Sequence, residues 1–133
     1  MKQTIMTLRE NKPLNEAVWR LLLAGDTSGI TAPGQFLNLK REGLYLRRPI
    51  SVCDWDGETL TLVYKVVGQG TEKMTALKAG ETLDVLTGLG NGYDLSKAGE
   101  QPVLLGGGVG IPPLYGLAKR LKAPGKSFRV VLG

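Results

Sequence analysis

Leu60, Leu62, Tyr64 and Val66 alternate with Thr59, Thr61 and Lys65. A period of two puts the first set on one face of a strand and the second set on the other. Short apolar runs flank this segment at residues 4–8, 35–40, 47–53 and 82–86, with Pro33-Gly34 and Asp56-Gly57 as turn signals. Pro49 inside one run marks an edge or a local break in the ladder. Residues 14–23 stay open between two forms. Leu14, Val18, Leu21 and Leu22 fall at helical spacing, yet residues 18–21 read equally as a strand ending at Gly25. Strands this short and this frequent through residue 96 predict a sandwich or barrel.

Two further segments differ. Thr71 as an N-cap, Glu72 in a first turn and Gly80 as a stop predict a short helix over 71–78. After Pro102 the pattern becomes βαβ: a strand at 103–105, a loop Gly106-Gly-Gly-Val-Gly110, a helix at 112–122 and a strand at 128–132. That helix has proline in its first turn, apolar Leu114, Leu117 and Leu121, and cations near its end, and Pro124-Gly125 stops it. The reading divides the chain into residues 1–98, a barrel, and residues 99–133, the opening part of an α/β unit. A parallel sheet needs more than two strands and both faces covered, so the second unit reads as truncated.

Composition narrows the chemistry. The 133 residues contain no His and one Cys, Cys53. Ser-His-Asp and Cys-His nucleophile systems, His-ligated zinc and haem on a His ligand are excluded. One thiol makes neither an internal disulfide nor an iron–sulfur cluster within this chain. Whatever chemistry occurs here therefore needs a borrowed cofactor or another part of the protein, and no catalytic side chain and no metal ligand set is assigned. Nineteen glycines, about twice the usual share, point to tight turns or to backbone that approaches a ligand closely. Residues 1–9 have no apolar signal core, and glycines and prolines interrupt the uncharged run at 101–118. The expectation is a cytoplasmic protein without a membrane span. The net charge, 17 − 12 = +5, suits nucleic acid or a pocket for phosphorylated ligands.

Four segments are candidate sites. In Arg48-Pro49-Ile50-Ser51 a guanidinium fork can hold phosphate oxygens and a hydroxyl can meet a ring nitrogen. Gly68-Gln-Gly70-Thr71 opens a helix, where free amides favour an anion. Gly106, Gly107, Gly108 and Gly110 stand between strand and helix, as in a dinucleotide loop. Pro113 replaces the last glycine of that fingerprint, and no acid stands about 20 residues on. Asp54, Asp56 and Glu58 flank a hairpin tip and read as solvated turn residues. Cys53 reads as a buried strand residue.

In this order the motifs resemble the ferredoxin–NADP reductase superfamily: an antiparallel flavin-binding barrel followed by a nicotinamide-binding α/β domain. Pro33-Gly-Gln-Phe36, Leu46-Arg-Arg-Pro-Ile-Ser51, Val67-Gly-Gln-Gly-Thr71, Leu89-Gly-Asn-Gly92 and Gly106-Gly-Gly-Val-Gly-Ile-Pro-Pro-Leu114 are similar to the electron-transfer subunits of type B dihydroorotate dehydrogenases. The resemblance implies FAD, with Arg48 on its pyrophosphate, Ser51 toward the flavin N5 region, and Pro49 and Ile50 lining the cofactor. It implies a second flavin segment at Val63, Tyr64 and Lys65, a phosphate contact at Gly70 and Thr71, and a nicotinamide loop at Gly106 to Gly110. It also favours a strand over residues 17–24.

Members of that family continue for about a further domain's length. The resemblance therefore implies an N-terminal part, with NAD and a 2Fe–2S cluster only in the full-length protein. The partner it implies is the dihydroorotate dehydrogenase catalytic subunit, in a hetero-oligomer of pyrimidine biosynthesis. The 133 residues alone are expected to be inactive and to self-associate through residues 102–133. Flavin subunits associated with a sulfhydrogenase or a glutamate synthase fit the same motifs. A small basic barrel binding nucleic acid fits the charge, but lacks aromatics interleaved with Lys and Arg and leaves the glycine loops unexplained.

Overall fold

A computed structural model describes residues 1–40 and 47–133. Leu46, the first residue of one quoted motif, lies outside the described residues. The first part of the chain forms strands β1 (Lys2–Pro13), β2 (Val18–Ala24), β3 (Phe36–Lys40), β4 (Arg48–Trp55), β5 (Thr59–Lys65) and β6 (Thr82–Leu89). They close into an antiparallel barrel in the order β1-β2-β5-β4-β3-β6. Residues 18–24 are thus strand, and the helical spacing at 14–23 is overridden by pairing with β1 and β5 on either side. The alternation in β5 points Leu60, Leu62 and Tyr64 inward, where they meet Leu21, Leu23, Leu37, Val52 and Val85 in one core.

β1 runs well past the expected residues 4–8. Met6 and Leu8 face the core, but the register against β2 shifts between Leu8 and Glu10. A bulge spends one residue without a partner and reverses which parity faces inward. Asn11 therefore lies opposite the buried Leu21. Its amide donates to the carbonyls of Met74 (2.8 Å) and Leu77 (3.1 Å), and its oxygen accepts the Tyr64 hydroxyl at 2.9 Å. These bonds fasten helix α1 (Gln69–Met74) to the barrel, with Met74 and Leu77 joining the core.

Helix α1 starts two residues before the expected position and ends earlier. Gly68 is its N-cap and Thr71 is the third helical residue. The Thr71 hydroxyl reaches back to accept from the Val67 and Gly68 amides at 2.8 and 3.2 Å, which fixes the entry of the chain. The threonine is a capping residue, but from inside the first turn.

The rest of the chain forms β7 (Val103–Gly106), helix α2 (Pro112–Lys122) and β8 (Arg129–Leu132), with 3₁₀ turns at Leu95–Lys97 and Gly108–Gly110. β7 and β8 pair in parallel. Leu114, Leu117 and Leu121 pack on Leu104 in a second apolar cluster, separate from the barrel core. α2 also lies against the outer face of β4. Asp54 pairs with Lys119 at 3.0 Å, and the Arg120 guanidinium sits 3.5 Å from the Trp55 ring centroid.

Candidate functional site

Pro49 explains where the barrel opens. β4 pairs with β3 along Arg48–Ser51, but with β5 only at Val52, Asp54 and Trp55. Proline has no amide to donate, so it sits where the strand has one ladder neighbour rather than two. The first half of β4 thereby stands apart from the last residues of β5. A groove of about 440 Å³ fills the gap, lined by Pro49, Ile50, Ser51, Val63, Tyr64, Lys65, Val67, Thr71 and Val109.

The strand period decides what each residue offers. Pro49 and Ser51 on β4, and Val63 and Lys65 on β5, face outward toward the groove. Ile50 and Tyr64 are buried, with side chains in the core, so between these residues the groove wall is backbone. Burial pushes the Tyr64 hydroxyl up to about 12, against the opposing hydrogen bond to Asn11. Tyr64 is a strut of the site.

Arg48 and Gly70 do not line the groove, but they meet each other next in sequence to its residues Pro49 and Thr71. A Cβ on Gly70 would overlap Nε, Cζ and Nη2 of Arg48, so the guanidinium packs directly on the glycine backbone. Arg47, next in sequence, is neutralised by Asp84 at 2.9 Å. Arg48 has no carboxylate partner among the described residues. A half-buried guanidinium with no carboxylate partner among the described residues has donors that could hold an anion. The amides of Gln69, Gly70 and Thr71 precede the first intrahelical bond, from Glu72 to Gly68. The Thr71 hydroxyl also donates to the Gly68 carbonyl at 3.1 Å, so it is committed to the turn.

The glycine loop approaches the groove through one residue. Val109 lines it, whereas Gly106, Gly107, Gly108 and Gly110 do not. Gly106 packs on Leu114, and a Cβ on Gly107, Gly108 or Gly110 would meet open space. Only Gly108, at φ +55°, needs glycine for its own backbone. Sequence reasoning missed Val67 and Val109 as groove residues. Both are large apolar side chains more than half exposed. Their signal was their position inside two of the quoted glycine motifs. It missed Asn11 as well, which no local pattern marks.

The acids at 54–58 have separate tasks. Asp56 accepts from the Glu58 and Thr59 amides at 2.8 and 2.7 Å, which holds its carboxyl below the usual range. Asp54 turns to Lys119. Among the described residues no group of three His, Cys, Asp or Glu could hold a metal ion, and no helix is long and apolar enough to cross a membrane. Cys53 is half-buried, and burial, with Asp54 adding to it, pushes its thiol up to about 11.

Comparison with known proteins places this architecture. A solved NADH-dependent reduced ferredoxin–NADP oxidoreductase, described in work on flavin-based electron bifurcation, superposes with TM-score 0.86 at 31% identity, over 98% of this chain and 48% of that one. A ferredoxin NADP+ reductase from Neisseria gonorrhoeae, with bound FAD and NADP, superposes with TM-score 0.81 at 18% identity, over 99% of this chain and 57% of that one. The fold is that of the ferredoxin–NADP reductase-like FAD-binding domains. No family model matches the chain. Two curated relatives are narrower in kind. The dihydroorotate dehydrogenase B (NAD(+)) electron transfer subunit of Enterococcus faecalis (strain ATCC 47077 / OG1RF) is 46% identical over 99% of this chain, and that of Listeria welshimeri is 40% identical over all of it. By sequence the chain is similar to these electron transfer subunits over its own length. It spans about half their length, 53% and 55% respectively.

Proposed function

We propose that this chain is the flavin-holding part of an electron-transfer subunit, with FAD seated in the groove between β4 and β5. The observation that carries the reading is Arg48, a cation without a carboxylate partner among the described residues, braced on Gly70 and next in sequence to Pro49 of a groove of about 440 Å³. That volume lies in the range of cofactor pockets. Arg48 would hold the pyrophosphate, with the first-turn amides at Gly70 and Thr71 beside it. Pro49, Ser51, Val63 and Lys65 would flank the flavin ring, with the backbone of Ile50 and Tyr64 between them. Bound there, FAD supplies the conversion between two-electron and one-electron transfer that the side chains of this chain lack. The chain's own residues bind and orient it, and Val67 and Val109 exclude water at the rim.

In the complete subunit, the electrons pass between NAD(H) and a dihydroorotate dehydrogenase catalytic subunit in the cytoplasm. The loop Gly106, Gly107, Gly108 and Gly110 would take part of the nicotinamide cofactor, and the 2Fe–2S cluster would take its ligands outside these 133 residues, since Cys53 is the one thiol here. Residues 1–98 serve the flavin and 99–133 begin the nicotinamide unit. Relatives named as electron transfer subunits support this partner choice.

Reconstitution of the purified chain with FAD is the test. A bound flavin spectrum with saturable binding, weakened in Arg48→Ala, is the expected result. Colourless protein that instead binds oligonucleotides with steep salt dependence would replace this reading with a nucleic-acid one.

A further inference from the structure

The seam between α2 and β4 has a construction that packing alone does not require. The Arg120 guanidinium lies over Trp55, 3.5 Å from the ring centroid, and donates to the Gly116 carbonyl at 3.1 Å, which fixes its fork. Lys119 bonds both oxygens of Asp54 at 3.0 and 3.1 Å. Between these pairs α2 presents Gly116. A Cβ there would stand 3.0 Å from the Cys53 carbonyl oxygen and 3.5 Å from the Trp55 ring, so the helix sits as close to the strand as a backbone allows. Both partners of the seam also carry the groove. β4 supplies Pro49 and Ser51 two to four residues before Cys53. α2 begins directly after the loop that places Val109 on the groove rim.

We propose that this seam is a positioning clamp: Arg120 on Trp55, with Gly116 against Cys53, fixes the height of the glycine loop over the groove between β4 and β5. The seam thereby sets how closely a ligand carried by the loop meets one seated in the groove. Trp55, Gly116 and Arg120 touch neither ligand and act through β4 and α2. The clamp itself stands on the contacts just described, while its effect on a bound flavin rests on the functional reading above.

Cys53 makes the clamp measurable, because it is the one cysteine in the chain and lies under α2. The experiment uses the 133-residue chain loaded with FAD. Thiol labelling reads the seam, and iodide quenching of the bound flavin reads the loop. Arg120→Ala is expected to raise the Cys53 labelling rate about tenfold. It is also expected to raise quenching while flavin affinity stays unchanged. Gly116→Val is expected to do the same by steric means, and Arg120→Lys, which keeps a cation but loses the planar stack and the Gly116 bond, to fall between Arg120→Ala and the parent. Unchanged labelling in both Arg120→Ala and Gly116→Val overturns the clamp. Faster labelling without added quenching overturns its control of the loop. Should the parent chain bind no FAD, the flavin reading falls, and the labelling rates alone still decide the clamp.

Discussion

The guanidinium of Arg48 rests on the Cα of Gly70, in the volume that any larger residue at position 70 would claim. Two segments more than twenty residues apart thus meet in one corner, where the guanidinium leaves no room for a Cβ at position 70. Arg48→Ala is expected to weaken FAD binding by about 1.5–3 kcal/mol, roughly 10- to 150-fold. Gly70→Ala keeps the charge but evicts the guanidinium, so it should move affinity in the same direction. Arg47→Ala loses only a partly exposed pair with Asp84 and should leave affinity unchanged. Flavin titration of the three variants checks the order. Equal curves for Arg47→Ala and Arg48→Ala would remove Arg48 from the site.

Asn11 links the barrel wall to the helix that carries Gly70. Replacing it with Ala takes the Asn11 partner from the Tyr64 hydroxyl and the Leu77 carbonyl, while the Met74 carbonyl keeps the Leu77 amide at 3.1 Å. Unmade bonds to buried groups cost about 1–3 kcal/mol. The expected result is a lower urea midpoint and weaker FAD binding together, since α1 loosens. Weaker stability with unaltered flavin affinity would show that α1 holds its place without Asn11.

Tyr64 gives the fold an alkaline limit. A tyrosine in the unfolded chain ionises near pH 10, while burial holds Tyr64 neutral up to about 12. Its pKa is raised on folding, so the neutral phenol contributes fully below pH 10. That contribution declines as pH rises from 10 toward 12. Tyr64→Phe should flatten this part of the stability curve and cost about 1 kcal/mol at neutral pH. Urea titrations at several pH values between 8 and 12 measure it. Parallel curves for parent and variant would assign the alkaline loss to another group, Cys53 being the first to examine.

What the sequence made legible was whatever a short period records. The alternation in β5, the helix at Pro112–Lys122 and the glycine loop each stand in consecutive residues. What escaped it depends on partners distant in the chain. β1 looked finished at Leu8 because the bulge after it breaks the alternation, yet that bulge is what turns Asn11 inward. Residues 14–23 carried helical spacing, and two flanking strands overrode it. Thr71 was legible as a cap but not as one reaching back from within the helix. In the groove, Pro49 hinted at a broken ladder. Only the pairing of β4 with two neighbours located the break, and only the folded chain separates Arg48 from Arg47 by their partners.

The two-stranded sheet sets the behaviour of these 133 residues in solution. Leu104 faces α2 and is buried, while Val103 and Leu105 on the opposite face are exposed, Leu105 at 71%. Val131 pairs with Leu105 and is 53% exposed, which widens the apolar face. Unpaired strand edges beside such a face favour pairing with another chain. Self-association through residues 102–133 is therefore expected, and Leu105→Glu should shift the mass measured by light scattering toward the monomer. A parent chain that stays monomeric across a dilution series would sink the idea. In the same preparation, FAD-loaded chain is expected to consume no NADH with an artificial electron acceptor. A Cβ on Gly107, Gly108 or Gly110 would meet nothing within 4 Å, and the chain spans about half the length of its relatives. NADH turnover by the 133-residue chain would place a working nicotinamide site within residues 99–133.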